Sequence, residues 1–392
     1  MALPLPGEIT SFFDNHAEHV VKNLLITAEG IFAAKSTNLN IVKDELGNVL
    51  ENQQTTKPAS NYKRLIRFFQ LNDQEKQELT QSLLCICFCI LGLKGRKPKY
   101  LTLDGTAWEV GTAKVHLLTL AVVIKGVSIP ICWEDLAKKG TSNFSERKAL
   151  LDKACRWYDL RGMVLLADRE YIGQEWFKYL KNNGLGFVIR LKKNVYKEQV
   201  DEQRSGSSRH FKHQKWRYIG MQREAKKSTY KNVGVAKRIT IAGEAYTFVI
   251  FKNPKKGAEE PLVYFISTLR DKRKIVKVYP IRWKIECCFK HLKSNGFNLE
   301  ELNFSNKEKI KLMMAIVSFL YVLCIHQGLL AYSKLKKSDF KKYRDGTKTL
   351  AVSIFRKGKA IVAGKFHHLK SFIRFLIAVL KGKRLPFWVH VQ

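Results

Sequence analysis

The chain has 392 residues, 45% of them hydrophobic, which is ample for a packed core, implies two to four structural units and excludes disorder as the default. Lys and Arg number 70 against 34 Asp and Glu, and this +36 is spread from Lys43 to Lys383 rather than gathered in a tail. Such a field implies a polyanionic partner met by several parts of the protein, although a ribosomal or membrane-surface protein would also be basic. The eight cysteines include no C-x-x-C pair and no histidine at ligand spacing, so they read as reduced core thiols of a cytoplasmic protein rather than zinc ligands or disulfides. MALPLPGEITSFF lacks a basic stretch followed by an apolar run, and no secretory signal is expected.

In chain order, residues 8–34 and 38–50 read as amphipathic helices. A third, Asn61 to Leu71, follows Ser60 as N-cap and sets Lys63, Arg64 and Arg67 opposite Leu65, Phe68 and Phe69. This fits a small DNA-binding unit (1–72), and equally a helical subdomain with an ordinary basic surface. A longer helix, about 74–93, precedes a change to strand-like period. Tyr100–Asp104 reads as a short strand, His116–Ile124 and Val127–Cys132 as a hairpin about Lys125-Gly126, 145–158 as a helix, and Met163–Ala167 as an apolar strand ending at Asp168. A helix (172–182) and a strand (Phe187–Leu191) follow. The order predicts a mixed α/β sheet over 73–191.

Residues 192–262 are rich in Lys, Arg, Ser and Gly with β-like runs at Val235–Ile241 and Tyr246–Phe251, and are expected to form a β-rich inserted subdomain. Tyr264–Thr268 returns to the sheet, opening a second core part (263–332) whose helix starts at Pro280. Leu312–Tyr332 carries no charge and is long enough to span a bilayer, but Ser318, His326, Gln327 and Gly328 within it favour a buried core helix, with no membrane partner. Residues 333–392 are basic and read as helical.

The chemistry concentrates on three carboxylates. Asp104 and Asp168 each end an apolar run, where either alone reads as a turn or helix cap. Glu286 lies on the helix after Pro280, and at 100° per residue Tyr279, Arg282, Lys290 and Lys293 fall within about 40° of it. An exposed helix laced with i, i+4 ion pairs would share that pattern. Three carboxylates in so basic a chain would repel DNA unless cations neutralised them, and hard oxygen donors beside phosphate suit Mg²⁺, with two ions able to activate the attacking oxygen and stabilise the departing one. Glu109, Glu134 and Glu170 are alternative third carboxylates without a basic stripe; His116 reads as a sheet residue and Trp176 as core packing.

LTLDGT at 101–106, LLADREYIG at 165–173 and Tyr279-x2-Arg282-x3-Glu286-x6-Lys293 resemble the signature of bacterial DDE transposases of the insertion-sequence-four family, the last being its YREK pattern. The resemblance covers most of the chain and implies a helical DNA-binding N-terminus, an RNase H-like core, a β-rich insertion and a helical C-terminus. It implies that Asp104, Asp168 and Glu286 are catalytic and bind two Mg²⁺ ions, Mn²⁺ substituting, and that Tyr279, Arg282, Lys290 and Lys293 grip phosphates. It further implies cleavage at terminal repeats through hairpin ends, joining to target DNA, and a homodimer on double-stranded DNA in the bacterial cytoplasm. A base-stacking aromatic is expected, with Tyr264 or Trp216 as the candidate where a tryptophan is usual. A silent DNA-binding derivative and a plain RNase H-like nuclease are the alternatives.

Overall fold

The computed structural model describes residues 5–51, 57–92, 96–202, 217–228, 234–254, 257–333, 336, 339–343 and 348–390. Four helices open the chain: α1 (Gly7–Thr10), α2 (Glu18–Ala34), α3 (Leu39–Val49) and α4 (Pro58–Phe69). The helix expected over 8–34 is thus two pieces, and α4 begins a turn before Ser60, with Lys57 at its N-cap and Pro58 inside the first turn, where a missing N–H costs nothing. On α4, Leu65, Phe68 and Phe69 are buried while Lys63 and Arg67 are exposed. The next helix, α5 (Asp73–Leu91), is fixed at its start by a reciprocal pair: the Asn72 side chain accepts from the Glu75 N–H, and Glu75 accepts from the Asn72 N–H.

The centre is a mixed eight-stranded sheet of order β3-β2-β1-β4-β5-β8-β7-β6. Its first five strands are β1 (Tyr100–Val110), β2 (Ala113–Ile124), β3 (Val127–Asp135), β4 (Val164–Ala167) and β5 (Gly186–Leu191). Antiparallel β1–β3 lie beside β4 and β5, which run parallel to β1. Lys125 and Gly126 both take positive φ, so the β2–β3 hairpin closes in a two-residue turn whose twist matches its strands. Helices α6 (Phe144–Trp157) and α7 (Gln174–Asn182) make the crossovers that parallel strands require. This is the α/β, RNase H-like mixed sheet expected from the sequence.

Two expectations change. β1 does not stop at Asp104 but continues to Val110, because each residue through Val110 finds a partner on β2. Residues 235–252 do not form a sheet of their own. After α8 (Lys197–Glu202) and α9 (Tyr218–Lys226), β6 (Val235–Ile241) and β7 (Glu244–Lys252) extend the central sheet through β8 (Leu262–Ser267), whose other edge pairs with β5.

Beyond β8 come α10 (Lys272–Val278), a 3₁₀ turn (Tyr279–Arg282), α11 (Trp283–Leu292), a π turn (Lys293–Phe297) and α12 (Lys307–Ala331). α12 is long and apolar enough to cross a membrane, yet 89% of its most apolar stretch is buried inside the protein. It is the central core helix, each fully buried aliphatic or aromatic side chain stabilising by about 1.5–3 kcal/mol. The hairpin β9 (Phe340–Lys342) and β10 (Lys348–Leu350) and the helices α13 (Ile354–Ala363) and α14 (Leu369–Leu380) complete the C-terminal region. α13 meets α12 backbone to backbone: a Cβ on Gly328 would lie 2.0 Å from the Ile354 carbonyl, and one on Gly358 1.7 Å from that of Cys324.

Candidate active site

Register brings the first two carboxylates together. Leu103 on β1 pairs with Ala167 on β4, so Asp104 and Asp168, the next residue on each chain, stand side by side. Asp104 is mid-strand, opposite Thr119 of β2, and its carboxylate accepts from the Gly105 N–H at 3.0 Å. A Cβ at Gly105 would sit 2.4 Å from His116 Nε2, so any larger residue there would have to displace that ring. Asp168 follows the last residue of β4 and accepts from the Arg169 N–H at 2.8 Å.

The third carboxylate arrives on α11, but not on the continuous helix expected from Pro280. Tyr279 caps α10 and opens the 3₁₀ turn that Arg282 ends, and Lys293 follows α11 with non-helical backbone angles. The 100° spacing therefore holds only between Arg282 and Lys290. What gathers these residues is contact with the sheet. Arg282 Nη1 donates to Asp104 Oδ2 at 3.2 Å, and Nη2 pairs with Glu286 Oε1 and lies 4.0 Å from Asp168 Oδ2. The Tyr279 hydroxyl donates to Asp168 Oδ1 at 3.4 Å, its ring resting on Phe265 of β8. One guanidinium, 11% exposed, thus touches carboxylates from β1, the end of β4 and α11.

The electrostatics follow from that burial. Desolvation raises Asp104 to about 7; Arg282 and the Gly105 N–H oppose the rise, while Glu170 and Glu286 add to it. Burial alone would pull Arg282 down, but Tyr279, Asp168, Asp104 and Glu286 outweigh it and hold the guanidinium charged above its ordinary value. Burial, then the Asp168 charge, pushes the Tyr279 hydroxyl up, so it remains a donor.

Lys293 Nζ donates to the Ala107 carbonyl at 3.2 Å, pairs with Glu300 at 2.7 Å and lies over the Trp108 ring at 5.2 Å, which ties the end of α11 to the far half of β1. Lys290 is exposed and makes no ion pair among the described residues. Lys63, Arg64 and Arg67 lie apart on α4 and likewise make none among the described residues; Arg64 and Arg67 line a groove with Lys22 of α2 and Lys370 of α14.

The aromatic candidates fare differently. Tyr264 is 4% exposed, stacked on Tyr218 with ring planes 9° apart, and its hydroxyl accepts from Gln222 at 2.8 Å, so its faces are not open to a base. Trp216 lies outside the described residues. Trp176 is buried in the core. Residue-by-residue reading passed over Trp283, 59% exposed between Arg282 and Glu286, and Arg190, which follows Ile189, the partner of Ala167, as Asp168 follows Ala167. Strand register, rather than motif, is the signal that finds Arg190.

Whether the three carboxylates fit a divalent cation is a question of donors and spacing. All are oxygen donors, one of them raised by desolvation, which is the chemistry a hard cation takes. Among the described residues, no three acidic, histidine or cysteine side chains lie close enough to hold an ion, because Arg282 stands among these three.

No curated protein matches the chain. Among solved structures, a piggyBac transposase synaptic complex with hairpin DNA matches over 93% of this chain and 71% of that one, at 13% identity and a TM-score of 0.46, a likeness too slight to bear on the assignment. The family described as "Transposase DDE domain" matches residues 97–323, from the start of the sheet into α12 and across all three carboxylates. That match spans more than half of the 392 residues, and the chain belongs to the transposase DDE domain family.

Proposed function

We propose that this DDE-family chain is an active transposase of the insertion-sequence-four group, which binds terminal inverted repeats, cleaves DNA at the element ends and joins them to target DNA, with hairpin ends as an intermediate of excision. The observation that carries the reading is one guanidinium in contact with carboxylates from three separate elements, in a chain of +36. Asp104, Asp168 and Glu286 are the catalytic residues and, once Arg282 has left their midst, would hold two Mg²⁺ ions, or Mn²⁺ in their place. Those ions, when bound, supply Lewis-acid polarisation of the phosphodiester and neutralise its charge.

The remaining roles belong to side chains. Arg282 and Tyr279 exchange carboxylate contacts for phosphate oxygens as DNA enters, the guanidinium offering a forked donor set and the phenol one donor. Lys290 faces solvent, free to meet a phosphate, and Lys293 braces α11 against β1 beside the same strand. Lys63, Arg64 and Arg67 hold the duplex away from the chemistry. The N-terminal helices (1–72) then serve as the end-binding unit, 73–191 with 263–332 as the catalytic core, and two copies as a dimer bridging two ends at the bacterial nucleoid.

The test is a plasmid carrying the native locus, incubated with protein and Mg²⁺ or EDTA, with Glu286→Gln in parallel. Metal-dependent release of a discrete linear fragment is expected, reduced by Glu286→Gln to the level of the protein-free control while the ends remain bound. Binding without cleavage in Mg²⁺ and Mn²⁺ alike would make the chain a silent DNA-binding relative.

A further inference from the structure

Next to the carboxylate cluster is a second ionic knot, whose side chains pair with a different carboxylate. Arg169 follows Asp168, and Arg190 stands beside Asp168 in the register of β4 and β5. Two guanidinium groups close together repel, yet both point at one carboxylate. Arg169 Nη1 donates to Glu260 Oε1 at 2.8 Å, and Arg190 Nη2 pairs with Glu260 Oε2. Each arginine thus holds one oxygen of the same group, as two guanidinium groups would share the non-bridging oxygens of a phosphodiester. Arg190 Nε is buried and has no hydrogen-bond partner among the described residues, so one donor of the pair is left unused there.

Glu260 comes from the loop between β7 and β8, on the opposite side of β5 from Asp168. The loop base is pinned: the Asn253 amide donates to the Glu260 carbonyl at 3.0 Å and its N–H to the Pro261 carbonyl at 2.9 Å. The carboxylate itself is 45% exposed, where solvent and incoming anions reach it. A cavity of about 270 Å³ adjoins it, where Lys193, Lys226 and Gln222 stand beside Glu259, so two further cations lie within reach of a strand that displaces Glu260.

We propose that Glu260 is a built-in competitor for DNA. Arg169 and Arg190 form a phosphodiester site flanking the carboxylate cluster, and Glu260 occupies it until a strand phosphate displaces it, the strand then running toward Lys193 and Lys226. This rests on the DNA-processing reading above. The device costs the chain little, because ion pairs to a carboxylate this open to solvent contribute little to folding, and it keeps two adjacent cations from engaging anions that lack a strand's further contacts.

The experiment uses the full chain and a short fluorescein-labelled duplex of arbitrary sequence, read by anisotropy across a salt series. Glu260→Gln keeps the shape and removes the charge, and is expected to tighten binding about three- to tenfold. Arg190→Gln weakens binding and lowers the salt slope by about one. In a chain carrying both Arg169→Gln and Arg190→Gln, Glu260→Gln has no effect, since the competitor has lost its site. Unchanged binding by Glu260→Gln, or an equal gain in the arginine-free background, overturns the proposal, the latter because it reports only overall charge. Wild-type protein that cleaves the plasmid while Glu260→Gln is silent in binding sinks the competitor alone. Wild-type protein that neither binds duplex nor cleaves sinks both readings.

Discussion

The N-terminal helices and the α11 end of the sheet are both charged, and they treat charge in opposite ways. On α4 the cations have no ion-pair partners among the described residues, and on the neighbouring α2 Glu29 is buried at 2% exposure with neither carboxylate oxygen hydrogen-bonded among the described residues. At α11, Arg282, Asp104, Asp168 and Glu286 are all satisfied by one another. A surface that leaves its cations free is ready for an external anion at once. A site whose one cation is already held by carboxylates admits an anion only by exchange.

The sharpest way to break this contrast is to remove the hub. Arg282→Gln leaves a buried carboxylate cluster without counter-charge and should cost about 3–5 kcal/mol at pH 8, read by chemical denaturation. Asp104 already rises to about 7 with the arginine present and moves further up without it, so the protonated form prevails at pH 5 and the loss there should be smaller. Equal losses at both pH values would show that Arg282 contributes packing rather than charge.

The next effect is at the other region and of opposite sign. Burial, with Glu51 adding, raises Glu29 to about 8, above its ordinary 4.5. Between those values the folded chain holds a proton that the unfolded chain has released, so this group's share of stability falls as pH rises through that window and levels off above 8. Glu29→Gln should therefore match the wild type near pH 4.5 and exceed it by on the order of a few kcal/mol at pH 9. A variant no more stable at pH 9 would mean that the carboxylate finds a partner on ionising. The smallest effect on folding belongs to Arg64→Gln and Arg67→Gln, within about 0.5 kcal/mol. Each should nevertheless weaken duplex binding and lower its salt slope by about one.

How far the sequence disclosed this arrangement depends on the range of the interactions. The strands about Asp104 and Asp168, the hairpin at Lys125-Gly126 and the buried Lys307–Ala331 helix are written in local patterns of apolar and turn residues, and were legible. The extension of β1 to Val110 was not, because DGTAWEV lacks an apolar period and is held in strand form by pairing with β2. The same holds for β6 and β7, which look like a separate unit until Val249 is seen to pair with Phe265. On α11, the residue types pointed to the cluster while the assumed helical wheel did not, since 3₁₀ and π turns flank it. Tyr264 sat in the right place in the chain and the wrong place in space, stacked on Tyr218. Glu260 was invisible, as nothing near it in sequence contains the two arginines it joins.

The contact of Gly328 and Gly358 has a mechanical consequence. Where two helices touch through their main chains there is no side-chain cushion to deform, so α13 is keyed to α12 like a spline in a shaft. α14 reaches in turn to the groove that Arg64 and Arg67 line. A load applied to α13 passes through main chain directly to the helix on which the central core is built, with one hydrogen in place of a methyl group setting the backlash.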